Sequence, residues 1–464
     1  MKVAVVGSGI SGLAAAHTLL QEGNGAYDVT LLEAGDYFGG HTHTVDVTLP
    51  TPGGPVTHGV DTGFLVFNER TYPQLIALFA SLGIETAKSE MSFSVQVKPT
   101  GAGSALEWSG TSLGAVFAQR RNLLNWRFLR MLRDLLRFNA LCTRLASDGT
   151  EAQLRQPLAD FLQQNHFSRE FRDWYFLPMI ACIWSCPTAQ MLQFPVDTLI
   201  RFCHNHGLLQ VSNRPQWWTV AGGARRYVDA ITAGITHKRL RARVTSIERV
   251  ESPQSGQGDQ GIRGGQVRLT VNGAVEVYDK VILATHTDQS LALLRHPTPL
   301  ESRALGAIRY QSNRAVLHTD TSVLPTRRAA WAAWNYERNA SSGHTAQNPV
   351  QQEHEPQGAA TVCLHYLINL LQPVPWQQSV VVSLNPLRHI DAQHVLGEFG
   401  YDHPVFDAAA IKAQRQMPWL QGQHHTYYCG AWMGYGFHED GLKAGVAAAH
   451  HLMGRLPVPE GAAP

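Results

Sequence analysis

The sequence predicts an α/β fold in two interleaved domains, one built on a parallel sheet and one of α+β type. Three observations predict it. The chain opens with a Val-rich run, Lys2 to Val6, followed at once by GSGISG and an Ala/Leu-rich stretch, the pattern of strand, tight turn and helix. Similar strand-and-turn patterns recur far downstream, in KVILATH and in TYYCGAW. At 464 residues the chain also exceeds what one hydrophobic core normally serves.

Composition narrows the function classes. The chain is 44% hydrophobic and only 16% charged, which leaves room for a large apolar cavity. A net charge of +2 is too balanced for global attraction to nucleic acid, so any basic patch is local. None of the six cysteines (142, 182, 186, 203, 363 and 429) falls in a CxxC pair. Their spacing suggests neither a zinc site nor a disulfide framework, and they read as buried reduced thiols in a cytoplasmic setting. The first strand begins at Lys2, leaving no space for a cleavable leader, and no uncharged apolar run is long enough to span a membrane.

The elements follow in order. Gly7, Gly9 and Gly12 stand in the GxGxxG pattern between a buried strand and a helix that ends at Gly23. One glycine serves the tight turn, one the approach of a pyrophosphate, and one the packing of helix on strand; Ser11 lies within the same turn. The helix N-terminus offers free N–H groups to an anion. A second strand, DVTLLEA, ends in Glu33, twenty-one residues beyond Gly12, where a carboxylate can accept both ribose hydroxyls. Together these define a Rossmann-like dinucleotide-binding domain.

Thr71 to Gly83 reads as an amphipathic helix, and MSFSVQV and LEWSG as strands of a second domain. Arg120 to Leu145 reads as one long helix with Arg127, Arg130, Arg133, Arg137 and Arg144 on one side and Leu124, Phe128, Leu132 and Leu135 opposite. It is either a core-packed helix with a solvated arginine face or a peripheral membrane contact. Residues 252–266 form a polar hairpin tip, and ERNASSGHTAQNPVQQEHEPQG from Glu337 is a tip or an entrance lid. The domain boundaries expected are 1–70, 217–300 and 420–458 for the nucleotide domain, and 71–216 and 301–419 for the substrate domain.

The Gly39/Gly40 pair six residues after Glu33, together with GxGxxG, RARVTSIERV and the C-terminal strand, glycine loop and helix, resembles the flavin amine oxidase, protoporphyrinogen oxidase and phytoene desaturase superfamily, of glutathione-reductase type. VDTGFLVFNERTYPQL, MSFSV, WSCP, NHGLL, WNYE and VSLNP are further similar to a bacterial group of predicted NAD/FAD-binding proteins. That group is associated with cyclopropane and methylated fatty acid metabolism. The resemblance spans nearly the whole chain and implies an amine-oxidase-like two-domain architecture with noncovalent FAD.

It also implies site residues. Gly39, Gly40, His41, Thr42 and Gly63 would lie against the cofactor, with His41 standing where the superfamily typically carries arginine. Val244 would meet the adenine through its backbone. Gly430 would approach the ribityl and pyrophosphate portion, and Gly434 to Leu442, including Gly441, would line the isoalloxazine. A helix beginning near Gly441 would stabilise negative charge on reduced flavin. Trp217, Trp218, Trp432, Tyr435 and Phe437 are candidate cavity walls. Tyr435, His438 and Glu439 are the candidates for catalysis, although His438 and Glu439 read equally as helix-capping residues.

The implied activity is oxidation of a hydrophobic, fatty-acyl-like substrate by hydride transfer to flavin. An amine oxidase acting on a small amine or polyamine and a redox-neutral isomerase are the alternatives. No metal is expected: His41 and His43, two residues apart, lack a third ligand nearby.

Overall fold

The computed structural model describes residues 1–98, 105–184, 191–210, 214–250, 266–339, 362–457 and 459. The expected hairpin tip, most of the polar loop after Glu337, and Cys186 fall outside them.

The nucleotide domain is a five-stranded, all-parallel sheet in the order 237–239, 28–32, 2–6, 280–283, 426–428. Its central strand, Lys2–Val6, is buried from Val3 to Val6, which is why it reads as an unbroken apolar run without alternation. Helix Ile10–Glu22 follows directly and is closed by Gly23. A three-stranded antiparallel meander, Val244–Val250, Gln266–Val271 and Ala274–Tyr278, joins the second strand's side of the sheet to the fourth.

The second layer is a seven-stranded mixed sheet in the order 395–405, 309–318, 381–384, 363–367, 334–339, 93–98, 106–109. Every pairing is antiparallel except that of Trp334–Asn339 with Phe93–Lys98. One apolar cluster runs from Val3 and Leu13 in the first domain through Phe79 and Phe138 to Leu364 and Val382 in the second. The two sheets therefore share a continuous core. The Cys142, Cys182, Cys203, Cys363 and Cys429 thiols are buried and unpaired, and burial raises all five.

Three sequence expectations are corrected here. The arginine-rich segment is not one helix: a 3-10 turn, Arg120–Leu124, is broken at Asn125, whose side chain accepts from the Arg127 and Phe128 amides and starts helix Trp126–Asp148. Leu124 consequently lies outside the core face and is 93% exposed. Glu337, assigned to the polar loop, is the fourth residue of strand Trp334–Asn339 and is buried. The C-terminal helix runs His438–Leu452, three residues earlier than the expected start at Gly441.

Among the described residues no helix is long and apolar enough to cross a membrane.

Candidate functional site

Both domains open onto one cavity of about 1120 Å³. Its nucleotide half is a backbone cradle. Gly7 adopts a positive φ of 99°, and a Cβ there would sit 2.7 Å from the Ala284 carbonyl; one on Gly12 would sit 1.9 Å from the Gly7 carbonyl. The turn therefore tolerates no side chain where helix, strand and loop meet. Gly40 closes the far wall, its would-be Cβ 3.1 Å from the Gly9 Cα, and Gly63 packs on the His41 carbonyl. Gly12 contributes packing and does not line the cavity, whereas Gly9, Ser11, Gly39, Gly40, Gly63, Val244 and Gly430 do.

Glu33 lies at the end of its strand on the cavity wall. Its carboxylate accepts from the Ser8 amide (2.9 Å), the Ser8 hydroxyl (2.6 Å) and the Gly35 amide (2.8 Å). Ser8 was missed in the sequence, since the variable position of GxGxxG carries no signal by itself. The arrangement fixes an acceptor pair at the place a ribose requires.

A second helix N-terminus meets the first. A Cβ on Gly445 would lie 2.1 Å from the Ser11 carbonyl, and one on Gly441 2.6 Å from Ile10. Glycine at these positions lets helices Ile10–Glu22 and His438–Leu452 touch backbone to side, so both N-termini, at Ile10 and His438, reach the same cavity. Two helix ends facing one space favour a ligand with distributed negative charge. Gly441 serves this helix contact and Leu442 is buried in the core; neither lines the cavity, and nor does Gly434, packed on Asp440.

The three catalytic candidates separate. Glu439 is buried and accepts from the Gln74 and Leu75 amides, both 3.0 Å, capping helix Pro73–Ser81. That is a structural post. Tyr435 sits on the cavity rim, 37% exposed.

His438 lies inside, stacked on Phe64 at 3.8 Å. Its Nε2 is 2.7 Å from the Tyr227 hydroxyl and 3.1 Å from the Thr42 hydroxyl, and those two hydroxyls lie 2.5 Å apart. Burial pushes His438 down to about 3, so it is a neutral imidazole at physiological pH. Thr42 itself is buried behind the cavity wall.

A wall of imidazoles appears that sequence reasoning had only begun to see. His41 lies 5.4 Å from His403 and 6.4 Å from His286, ring to ring, with Tyr401 at 5.1 Å. All four line the cavity. Burial lowers His41 well below its ordinary value, with His403, His286 and His438 adding to the effect; burial takes His403 to about 4 and lowers His286. Asn313 Nδ2 is 3.0 Å from His403 Nδ1, and His286 stacks on Tyr310 at 4.3 Å. The buried Nε2 of His41 has no protein partner. His43 makes separate contacts: it stacks on Tyr37 at 4.2 Å and its Nδ1 is 3.2 Å from both Tyr401 and Thr62 hydroxyls.

On the side of the seven-stranded sheet the cavity is lined by Met91, Phe93, Met179, Ile183, Trp334 and Tyr366, with Ser89, Glu90 and Ser92 among them. Trp217, Trp432 and Phe437 line it as expected positions would, Phe437 stacked on Phe202 at 4.9 Å. Trp218 does not: its indole N–H donates to Glu69 at 3.0 Å. Trp334 and Tyr366 meet edge to face, 5.2 Å apart at 87°, and so present no parallel pair of ring faces. Arg214 also lies on the cavity wall.

Outside the cavity, Glu337, Cys363 and His365 gather within metal-ligand reach of one another. Their carboxylate is already engaged by Lys98 and by His365 Nε2 at 2.9 Å, with Arg388 at 3.6 Å. The cations at hand make this a buried polar network that runs on through Ser383 to His318.

Parallel sheet, glycine cradle, a carboxylate at the second strand's end and two converging helix ends define a dinucleotide-binding type of fold packed against a second, mixed sheet. Residues 10–371 match the family model described as flavin containing amine oxidoreductase, and the chain belongs to that family. It is a flavin-containing oxidoreductase.

Three solved structures share the fold over nearly their whole length. The CLA-producing fatty acid isomerase from P. acnes is 15% identical with TM-score 0.62, over 97% of this chain and 98% of that one. Cyclohexylamine oxidase from Brevibacterium oxydans is 16% identical with TM-score 0.62 over the same shares. A putrescine oxidase variant is 14% identical with TM-score 0.63, over 98% and 99%. Comparison with curated proteins by sequence gives no match.

Proposed function

We propose that this chain holds FAD noncovalently and dehydrogenates an apolar, fatty-acyl-like substrate. The observation that carries the reading is the cluster of methionine, isoleucine, phenylalanine, tryptophan and tyrosine side chains that lines the same cavity as the nucleotide cradle. Bound flavin supplies a two-electron acceptor at its N5 atom.

The residues present fit that group. Glu33 and Ser8 would hold the ribose, and Gly9 and Gly40 would admit the diphosphate to the Ile10 helix end. The unpartnered His41 Nε2 would face the cofactor in place of the guanidinium that the superfamily resemblance led one to expect. The neutral His438, fixed by Tyr227 and Thr42, would position the flavin edge without adding charge. The fully buried Cys429 thiol, raised above its ordinary value, is a poor nucleophile and favours a noncovalent cofactor.

For the substrate, the inner walls exclude water, and they hold a chain by area more than by polar contacts. Trp334 and Tyr366 stand perpendicular, which supports an acyl chain over an amine held between parallel rings. A carboxylate head group would find Arg214 on the wall.

The test is anaerobic bleaching of the flavin absorbance in purified protein. Acyl substrates should bleach it, and polyamines or cyclic amines should not. Bleaching by amines alone would replace the acyl reading with an amine oxidase. Conversion of an unsaturated acyl chain without net bleaching would make the protein a redox-neutral isomerase. Absence of FAD after denaturing extraction and reconstitution would remove the cofactor reading itself.

A further inference from the structure

Six of the sixteen large hydrophobic residues that stand exposed among the described residues fall within one stretch of 24 positions: Leu113, Leu123, Leu124, Trp126, Leu129 and Leu136. Leu124, Leu113 and Trp126 are 93%, 80% and 65% exposed. The break at Asn125 is the local cause. It ends the 3-10 turn with Leu123 and Leu124 exposed and starts the helix with Trp126 exposed beside them in sequence. At 100° per residue, Trp126, Leu129, Arg133, Leu136, Arg137 and Arg144 share the outward face, while Phe128, Met131, Phe138 and Cys142 fill the core.

The charge on this surface is one-sided. Between Leu113 and Asp148, the end of the helix, there are seven arginines and two acids, Asp134 and Asp148. Asp134 is buried, accepts from the Ser168 amide and lies 3.4 and 3.6 Å from Arg133 and Arg137. Glu170 reaches in from a neighbouring helix to hold Arg127 and Arg130. Seven guanidinium groups against three carboxylates, Asp134, Asp148 and Glu170, leave an excess of four positive charges, more than the +2 of the whole chain. Arg130 also lies over the Trp126 ring, 4.9 Å from its centroid.

We infer that this face docks the protein on the surface of a bilayer that carries anionic lipid headgroups. Leucine and tryptophan enter the boundary between headgroups and acyl chains, and the arginines extend along it to the phosphates. A nucleic acid would match the charge but would leave six apolar side chains against a polar backbone. A purely apolar protein partner would bury arginines without counter-charge. Only a surface with negative charge lying over hydrocarbon satisfies both halves. The inference stands independently of the cofactor and substrate readings.

Flotation of the cofactor-loaded, full-length protein with vesicles tests it. Phosphatidylcholine vesicles containing phosphatidylglycerol should carry the protein up, at least ~10-fold more than phosphatidylcholine alone, and high salt should reduce the difference. The double substitution Leu124→Ser with Trp126→Ser, at exposed positions, should cut flotation ~10-fold or more with an unchanged melting temperature. Arg133→Glu with Arg144→Glu should abolish the preference for anionic vesicles. Flotation with neither vesicle, equal flotation with both, or a stable dimer in sedimentation velocity that the Leu124/Trp126 double variant dissociates would each overturn the inference.

Discussion

At the scale of single residues, His41 is the most informative position. A buried polar atom without a partner costs about 1–3 kcal/mol, so the lone Nε2 of His41 is a cost that a ligand atom in the cavity would remove. His41→Ala is expected to weaken FAD binding by about tenfold, the worth of one hydrogen bond of ~1.4 kcal/mol, read from fluorescence of released flavin. An unchanged dissociation constant would make the imidazole a packing group only. How legible was this site? Gly7, Gly9, Gly12 and Glu33 were readable because strand, turn, helix and acid lie in one local unit whose spacing the chemistry dictates. His286, His403 and Tyr227 were not, because they reach His41, Thr42 and His438 from strands and helices remote in sequence. Glu439 misled for a related reason: beside His438 it looked like chemistry, but its partners are the Gln74 and Leu75 amides, more than 360 positions away.

At the scale of elements, the two helices that frame the cavity depend on close approach. Gly445→Val is expected to force helix His438–Leu452 off Ser11 and destabilise the protein by about 2–3 kcal/mol or more, the range of overpacked cores. A differential thermal unfolding experiment reads the loss, and flavin release should accompany it because both helix N-termini would shift. A variant as stable as the parent and fully loaded would contradict the close helix contact. The N-terminal strands and the Pro73–Ser81 helix were legible from periodicity and local turn signals. The parallel join of Trp334–Asn339 to Phe93–Lys98 was not, since it links positions about 240 residues apart and no local pattern records register over such a span. The single long arginine helix failed at Asn125. A 3.6-residue periodicity continues across that position on paper, while the Asn side chain in fact caps a new helix there.

At the scale of the whole molecule, the buried histidines set the response to acid. Burial lowers His206, His318 and His403 from 6.5 to about 4, and His438 to about 3. Below pH 6.5 the unfolded chain takes up protons at these sites and the folded chain does not, so stability falls as pH drops toward 4. Asp61 acts with the opposite sign. Burial raises its carboxyl from 3.8 to about 7 against hydrogen bonds from Thr44, Ala224 and Gln372, and its share of stability is regained as pH falls through that window. Burial also raises Asp440 and lowers His41, His43, His286 and His365, so the imidazoles outnumber the opposing acids. Each of the four histidines held at about 4 or below gives up on the order of 2 kcal/mol between about pH 7 and pH 5, and Asp61 returns about as much as one of them, so the net change is a loss. The folded protein is therefore expected to be less stable at pH 5 than at pH 7. Glu337, whose burial is overcome by His365 and Lys98 so that its carboxyl is held at about 2, adds a further loss from 4.5 downward. Melting temperatures recorded from about pH 8 to pH 5 should therefore fall steadily. His318→Gln, remote from the cavity, should flatten that fall by the ~2 kcal/mol of one site while weakening the contact with Ser383 at neutral pH. A flat profile from pH 7 to 5 in both proteins would mean that these imidazoles take up protons without cost to the fold.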